Sequence, residues 1–346
     1  MAPIQKHPTI QHQINTGKNE FTMKHKVVVL GPIPRDTITT HNNEVIQKYG
    51  CATHTAIALS NLMGSEGEII PVTHVRQQDA PAIKELLSAY DNINCAHINS
   101  HADQGDVIHL KFLDQNKRVE KQTGFMNPIL PEDVKDLLDA AVFVCVPVTD
   151  FEVPLATLKY IKENSDASIV FDAHGPTNSL SIHGDRFMKF WVDRDSWLPY
   201  IDVLKMNLEE ANCSWFEKEY DLIDLENNHE IAREKLPEFA EHCLRQGLKS
   251  LYVTLDSSGV MAYTLENGEL VQELVPSVKV DYVIDTTGCG DSFAGGVAFG
   301  LLKDPDDYIK AAQYGNAMGA QRTQGKTFDV FKSLEETNRM IVENYS

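Results

Sequence analysis

Residues 285–296 read DTTGCGDSFAGG, and this stretch is the most informative of the chain. It follows a predicted strand over residues 278–284 and precedes a predicted helix over 292–302. Gly288 and Gly290 lack side chains, so the backbone amides beside them can approach an anion closely. The N-terminus of the helix adds free N–H groups and the positive end of its dipole. The stretch therefore predicts an anion hole formed by Gly288, Cys289 and Gly290.

Asp291 lies at the mouth of this predicted anion hole. A carboxylate there would repel the anion, but it could accept a proton from a hydroxyl that attacks the anion. That arrangement is the one that phosphoryl transfer requires. The alternative is structural, with Asp291 as a helix N-cap and the glycines in a tight turn. The chain has no GxxxxGK[ST] loop, and Phe293 stands where a dinucleotide-binding sequence has its third glycine.

Outward from this stretch, apolar strands alternate with helices along most of the chain. Predicted strands over 27–30, 68–73, 142–146, 168–172, 201–205 and 250–255 are separated by predicted helices. This order indicates an α/β fold with a mostly parallel sheet and helices on both faces, in which ligands bind beyond the carboxyl ends of the strands. Residues 107–122 alternate differently and predict a hairpin with one polar face, which we interpret as a small β lid.

Composition excludes several classes of function. The 346 residues include 31 Lys and Arg against 50 Asp and Glu, so the formal net charge is −19. Such a chain repels nucleic-acid phosphates and anionic membrane surfaces. The six cysteines form no Cys-x-x-Cys pair, which is typical of buried thiols in a reducing cytoplasm, the expected location. Residues 1–25 are polar and are predicted to be a mobile N-terminal extension.

The stretch at 285–296 strongly resembles the second signature of the ribokinase-like (PfkB) family of carbohydrate and nucleoside kinases, whose core is Asp-Thr-x-Gly-x-Gly-Asp. The resemblance covers residues 26–335, and a C-terminal helix over 333–346 overlaps its end. It implies a three-layer αβα sandwich with a mostly parallel central sheet and a small β lid over residues 33–47 and 94–124. It also implies phosphorylation of an alcohol that depends on ATP and Mg²⁺.

The same resemblance assigns roles around the phosphates. Asp291 would be the general base, and Gly288, Cys289 and Gly290 would form the anion hole. Asn207-Leu208-Glu209-Glu210 matches the family's Asn-x-x-Glu sequence, which implies nucleotide binding by Asn207 and Mg²⁺ binding by Glu210, directly or through water. The residues that imply further nucleotide contacts are Thr254 and Gly259 in VTLDSSGV, and Asn316. Asp256 replaces the usual glycine in the first of these segments.

On the acceptor side the resemblance implies substrate binding by Asp36, Gly50, His54 and Glu152. Two departures from the family stand here. The usual Gly-Gly reads Tyr49-Gly50, and the usual Asn is His54. The family also often binds a monovalent cation such as K⁺ beside the anion hole, and the matching positions are Asp285, Thr287, Ala320 and Gly325.

Three functions remain open from the sequence. The first is a kinase for a sugar or a sugar-like polyol, and the second is a nucleoside kinase on the same scaffold, with Tyr49 and Phe112 available to stack on a base. The third is a non-catalytic ligand-binding relative, which the intact Asp291 disfavours. Each motif also has a structural reading, such as a helix N-cap for Asn207 or a turn for Asp36. The exposed edge of the lid predicts a homodimer.

Overall fold

A computed structural model describes residues 25–113, 118–215 and 233–346. The predicted N-terminal extension, apart from its last residue, lies outside the described residues, as do the predicted turn at 114–116 and the first residues of a helix predicted over 230–246. The first strand begins at His25, beside the predicted start of the fold at Lys26. Within the described ranges, no helix is long and apolar enough to cross a bilayer.

The described residues form fifteen strands, which we number in chain order. They are β1 His25–Leu30, β2 Arg35–Thr39, β3 Val45–Tyr49, β4 Gly67–His74, β5 Ile98–Asn99, β6 Val107–Phe112, β7 Arg118–Gly124, β8 Val142–Cys145, β9 Ser168–Asp172, β10 Asn178–Leu180, β11 Arg186–Met188, β12 Val203–Asn207, β13 Ser250–Thr254, β14 Val260–Glu266 and β15 Glu269–Val275. Nine of them form one sheet in the order β15-β14-β13-β12-β9-β8-β1-β4-β5. All neighbours pair in parallel from β13 to β5, and β14 and β15 add an antiparallel edge.

Helices cover both faces of this sheet. The described α-helices are α1 Ala52–Met63, α2 Ala80–Ser88, α3 Pro131–Val134, α4 Leu155–Asn164, α5 Arg194–Trp197, α6 Leu208–Ser214, α7 Leu236–Arg245, α8 Cys289–Lys303, α9 Tyr308–Arg322 and α10 Leu334–Tyr345. In β1, Val27 and Val29 face one buried cluster with α1, α8 and α9, whereas Val28 and Leu30 face another with α4 and α7. The alternation of a fully buried strand therefore gives three layers, and the predicted αβα sandwich is confirmed.

A separate four-stranded sheet in the order β3-β2-β6-β7 forms the lid. Residues that lie directly opposite each other share a face, so Asp36 and Lys48 are on the same face as Ile38 and Leu110. Ile38, Ile108 and Leu110 are buried and pack against Val148, in the loop after β8. The inner face of the lid is therefore held over the carboxyl ends of the central strands, with Asp36 and Lys48 on it.

The β10–β11 hairpin, which no sequence pattern predicted, braces the free edge of the lid. Gly184, in its turn, accepts a hydrogen bond from the backbone N–H of Gln122 at 2.8 Å. Arg186 donates to the side chain of Gln122 at 2.9 Å and pairs with Glu120 at 3.0 Å. The short strand β5, within the range 94–124 predicted for the lid, pairs with β4 at the edge of the central sheet.

The strand predicted over residues 278–284 is wrong. These residues form an irregular loop, in which Tyr282, Val283 and Ile284 are exposed. The backbone N–H of Ile284 donates to Thr323 at the end of α9 at 2.8 Å, so the loop is fixed by a helix end. The apolar residues that predicted a strand have no neighbouring strand with which to pair. The following helix α8 begins at Cys289, three residues before its predicted start.

Candidate active site

The loop before α8 has a conformation that only glycine adopts easily. Gly288 has a φ of 88°, and its carbonyl accepts hydrogen bonds from the backbone N–H and the hydroxyl of Ser292 at 2.9 and 2.7 Å. A Cβ on Gly288 would lie 2.5 Å from two ring atoms of His54. The first N–H groups of a helix have no intrahelical partner. Gly288, Cys289 and Gly290, which are predicted to form an anion hole, thus lie at the start of α8.

Asp291 lies in that first turn, at the junction of α8 with α1. Its carbonyl accepts a hydrogen bond from the hydroxyl of Thr55 at 3.0 Å, and its carboxylate lies 3.6 Å from the thiol of Cys51. Burial, and then the charge of Asp172, raises the pKa of Asp291 to about 6, against the opposing effect of Lys205. A carboxylate with such a pKa is deprotonated at neutral pH and is a stronger base than an exposed aspartate.

A buried ion pair lies beside the anion hole. Lys205 in β12 pairs with Asp172 at the end of β9 at 2.8 Å, and both side chains are nearly inaccessible to solvent. A Cβ on Gly290 would lie 2.8 Å from the ammonium group of Lys205. Burial lowers the pKa of Lys205, but the charges of Asp172 and Glu210 and the hydrogen bond to Asp172 together outweigh this effect and raise the pKa above its usual value, so Lys205 stays protonated. Because Gly290 has no side chain, the ammonium group of Lys205 can lie next to the predicted anion hole.

Asn207 and Glu210 form a reciprocal cap at the start of α6. The side chain of Asn207 accepts from the backbone N–H of Glu210 at 2.7 Å, and Glu210 accepts from that of Asn207 at 2.8 Å. The second oxygen of Glu210 accepts from Nδ1 of His174 at 2.9 Å, because the other ring nitrogen of His174 faces Arg186, which can only donate. Asn207 is therefore a helix N-cap, as its structural interpretation predicted. Hydrogen bonds also connect Glu210 to the lid through His174 and Arg186.

The same two residues bear on the predicted magnesium site. In the described ranges, no group of three or more His, Cys, Asp or Glu side chains could hold a metal ion. Both oxygens of Glu210 already accept hydrogen bonds, and the residue is buried. Mg²⁺ commonly keeps several waters and binds through one or two carboxylates together with substrate phosphates. The acidic residues fit a hydrated Mg²⁺ that is bound through its water molecules. They do not fit direct coordination of the ion by Glu210.

Several carboxylates converge on the acceptor side. Burial raises the pKa of the Cys51 thiol well above its usual value, and the charges of Asp291, Glu152, Asp172 and Asp36 raise it further. Cys51 thus lies within electrostatic reach of all four carboxylates. A Cβ on Gly50 would overlap the carboxylate of Asp36, so glycine allows Asp36 to lie over the start of α1. Tyr49, next to it, donates its hydroxyl to Asp79 at 3.3 Å.

Glu152 and His54 are placed deeper than a substrate-binding role requires. Glu152 is fully buried and accepts from the backbone N–H groups of Val148 and Thr149 at 2.6 and 3.2 Å, which fixes its own loop. Burial and then the charge of Asp106 raise its pKa. His54 is also fully buried, beneath Gly288, with its ring 5.0 Å from that of Phe328. Both predicted substrate-binding side chains are therefore closed off from solvent in this structure.

Of the residues predicted to bind nucleotide, Thr254 ends β13, Gly259 precedes β14, and Asn316 lies in the middle of α9. Gly259 has a φ of 106°, and a Cβ there would lie 2.6 Å from the backbone nitrogen of Ser277, so it shapes the turn. The amide nitrogen of Asn316 donates to Val275 and Pro276 at 3.2 and 2.9 Å. Thr254 ends β13 and donates to Met206 at 3.4 Å. Asn316 thus anchors the strand end with its nitrogen and has its amide oxygen left for a ligand.

At three of the four positions predicted to bind a monovalent cation, the oxygens accept from protein donors, whereas the buried hydroxyl of Thr287 has no hydrogen-bond partner among the described residues. Asp285 pairs with Lys48 of the lid at 2.7 Å and with Arg322 at the end of α9 at 2.8 Å. Its other oxygen accepts from the backbone N–H of Thr287 at 2.9 Å. The carbonyl of Gly325 accepts from Arg322 at 2.6 Å. The carbonyl of Ala320 accepts from both the N–H and the hydroxyl of Thr323. The residues present do not fit a bound metal cation.

Sequence reasoning missed Lys48, Asp172, Lys205 and Arg322. A signal was present for Lys205, because a charged residue in an otherwise apolar buried strand needs a buried partner. Asp172 carried the corresponding signal, since it ends a neighbouring strand of the same sheet. Lys48 and Arg322 gave no local signal, because each meets Asp285 only through the tertiary fold.

Comparisons with known proteins agree with this fold. The profile of the "pfkB family carbohydrate kinase" matches residues 155–328, just over half of the chain. The ribokinase of Lactococcus lactis is 24% identical over 90% of this chain and 97% of its own length. The 2-dehydro-3-deoxygluconokinase of Bacillus subtilis is 37% identical over 27% of this chain and 28% of its own. A solved structure of Arabidopsis thaliana ribokinase complexed with ribose and ATP superposes with a TM-score of 0.68 and 15% identity, and covers 92% of this chain and 99% of that one.

The close approach of Gly288 to His54 gives a stability prediction. We expect Gly288→Ala to lower the free energy of unfolding by about 2 kcal/mol more than Gly268→Ala does, since overpacking typically costs 1–3 kcal/mol. Gly268 is a matched control, because its φ is also positive, at 84°, but a Cβ there meets no atom within 4 Å. Urea unfolding of both variants measures the difference. Equal losses would show that His54 moves aside and that only the backbone conformation matters.

Proposed function

Because this chain belongs to the pfkB family of carbohydrate kinases, we propose that it transfers the γ-phosphoryl group of ATP to a hydroxyl of a sugar or a sugar-like polyol, with Asp291 as the general base. The observation that carries the proposal is the position of Asp291. Its carboxylate lies in the first turn of α8, beside the N–H groups of the anion hole and the ammonium group of Lys205. A carboxylate base, backbone N–H donors and the positive charge of Lys205 thus lie close together at the start of α8.

These groups support an in-line transfer. Asp291 accepts the proton of the attacking hydroxyl, whose oxygen forms a bond to the γ-phosphorus while the bond to the leaving oxygen of ADP breaks. The N–H groups at the start of α8 and the charge of Lys205 stabilise the negative charge on the moving phosphoryl group. When bound, Mg²⁺ would neutralise charge on the phosphates, and Asp172 and Glu210 would hold it through its waters. All protein groups in this scheme are held by buried contacts and need little reorganisation.

The proposed acceptor class follows from the carboxylates around the pocket. Asp36 lies on the inner face of the lid, and a carboxylate can accept hydrogen bonds from two neighbouring hydroxyls at once. The relatives that we compared are named for ribose and for a deoxygluconate, which are both polyhydroxylated. The alternative of a nucleoside acceptor loses support at Phe112, which packs in the apolar cluster of the lid.

Substitution of Asp291 by asparagine tests the proposed base. We expect Asp291→Asn to lower kcat by about 10²–10⁴-fold, the usual contribution of general-base catalysis, with little loss of stability. The assay measures ADP formation with a panel of sugars and polyols, and a calorimetric titration measures affinity for a non-hydrolysable ATP analogue. ATP binding should be retained, because the anion hole is unchanged.

Asp307→Asn provides the control for capping. The side chain of Asp307 caps α9 by accepting from the backbone N–H of Lys310 at 2.8 Å, far from any group proposed to act in catalysis. We expect this variant to keep full turnover. If Asp291→Asn also kept kcat within about threefold of the unsubstituted chain, Asp291 would be a structural cap rather than the base. A complete lack of turnover with every acceptor would favour a non-catalytic binding protein.

The raised pKa of Asp291 gives a pH prediction. Protonation removes the base, so kcat/KM should fall as the pH is lowered through about 6, and level off above that value. Below that midpoint the fall should approach tenfold for each pH unit, because one proton inactivates the site. Measurement of kcat/KM in constant-ionic-strength buffers checks the midpoint. A profile that stays flat from about pH 5 to 8 is incompatible with this role.

We also propose a homodimer formed through the lid. Val45 and Val119 are exposed on its outer face, and exposed apolar residues on a small sheet favour association. Sedimentation velocity at micromolar concentration should show the dimer, and Val119→Lys should shift it to monomer. A monomer of the unsubstituted chain would contradict this assembly and would leave the catalytic proposal untouched.

A further inference from the structure

We propose that Arg322, together with Lys48, replaces the monovalent metal cation beside the anion hole, so that this kinase needs no K⁺ or Na⁺. The inference rests on the proposed function for its catalytic readout alone. Arg322 is fully buried at the end of α9, although arginine is among the residues least often found without solvent contact. A guanidinium in such a position must have partners for its nitrogens.

All three nitrogens of Arg322 have partners. Nε donates to Nδ1 of His54 at 3.2 Å, one terminal nitrogen donates to the carbonyl of Gly325 at 2.6 Å, and the other donates to Asp285 at 2.8 Å. The carboxylate and the carbonyl are hard oxygen ligands of the kind that a bare cation would use. Arg322 therefore donates hydrogen bonds to two of the four residues that were predicted to bind the cation.

The other two predicted positions do not restore a metal site. The carbonyl of Ala320 already accepts two hydrogen bonds from Thr323, which uses both of its lone pairs. Thr287 donates its N–H to Asp285, and its buried hydroxyl, which has no hydrogen-bond partner among the described residues, offers a cation a single side-chain oxygen. An arriving K⁺ would thus find Asp285, Ala320 and Gly325 occupied by protein donors.

Charge gives a second argument. Lys48 adds another positive charge at 2.7 Å from Asp285, so one carboxylate faces two cations. Burial alone would raise the pKa of Asp285, but Lys48 and the backbone N–H of Thr287 hold it at about 2. The cluster of Asp285, Lys48 and Arg322 has a net charge of +1, and this repels a further cation at such short range.

His54 completes the arrangement. Its Nδ1 accepts from Arg322, so the ring must carry its proton on Nε2 and be neutral. Burial and then the charges of Lys48 and Arg322 lower the pKa of His54 well below its usual value, which is consistent with that state. The residue that departs from the family sequence thus orients the guanidinium. His54 and Arg322 are positioning residues, since neither reaches the proposed reaction centre.

The two cations act on the anion hole itself. Burial raises the pKa of the Cys289 thiol to about 12, and the charges of Arg322 and Lys48 both oppose this rise. Their field therefore reaches the residue in the middle of the hole, where the transferred phosphoryl group would lie. Lys48 belongs to β3, so the lid must be seated for this positive field to be complete.

The first experiment uses the unsubstituted chain. Its melting temperature and its kcat are measured with ATP as the Tris salt in tetramethylammonium chloride, and then with KCl or NaCl at the same ionic strength. We expect both quantities to be unchanged, with kcat within about twofold, because an ion that does not bind cannot stabilise by mass action. A K⁺-specific rise in melting temperature, or an activation of about tenfold, would overturn the inference.

The second experiment opens the site. Arg322→Ala removes the guanidinium and leaves Asp285 and the carbonyl of Gly325 without that partner. We expect kcat to fall by at least about tenfold, and K⁺ to raise both the melting temperature and kcat of this variant. Arg339→Ala is the matched control, since Arg339 is 66% exposed and pairs only with Glu335 among the described residues, so K⁺ should not affect it.

The outcomes separate the inference from the proposed function. If Arg322→Ala does not fold, the comparison of salts on the unsubstituted chain still decides whether the protein binds K⁺. Arg322→Lys, which keeps the positive charge, should retain most of the stability. If no acceptor gives turnover, the melting temperatures alone test whether the chain binds K⁺. A folded Arg322→Ala that responds to KCl and to tetramethylammonium chloride equally would show that no cation site underlies the guanidinium.

Discussion

The carboxylate of Asp285 joins three parts of the molecule that are distant in sequence. It accepts from Thr287 in the anion-hole loop, from Lys48 in the lid and from Arg322 at the end of α9. Because the group is largely buried, each of these bonds is strong, and the loss of Lys48 or Arg322 leaves the carboxylate with a single cationic partner. The shape of the loop, the seating of the lid and the end of α9 are therefore fixed together.

Local charge at the site opposes the charge of the whole chain. A net charge of −19 repels an anionic nucleotide at long range. Near the hole, however, backbone N–H groups, Lys205, Arg322 and Lys48 present positive charge where water is excluded, and there each counts for more than it would at the surface. The acidic groups close by, such as Asp291 and Asp172, are raised in pKa or paired. Buried positive groups thus compensate locally for an acidic surface.

The lid is coupled to the phosphate side through a second route. Arg186 on the β10–β11 hairpin pairs with Glu120 and Gln122 in β7, and its guanidinium also faces His174. His174 donates to Glu210, which caps α6. Both edges of the lid are therefore held by charged hydrogen bonds, because Lys48 on β3 binds the loop before α8, and Arg186 on β11 joins β7 to the carbonyl of Val148 in the loop after β8. Such contacts strengthen when water is excluded, so a bound acceptor and the seated lid would favour each other.

The sequence by itself determined the layers and the glycine turn at the start of α8. Alternating apolar strands and helices require a sheet buried on both faces, and Gly288, Gly290 and Asp291 act through backbone conformation and local order, which sequence records directly. Only the tertiary structure decided what stands behind the hole. Lys48, His54, Asp285 and Arg322 are far apart along the chain and meet through parallel strands, the lid and two helices. Sequence matched Asp285 and Gly325 to a metal site because carbonyl and carboxylate ligands look the same whether a metal or a guanidinium binds them. The two cases differ in the side chain of Arg322, which extends from the end of α9 and donates to both residues. Tertiary packing determines which groups it contacts.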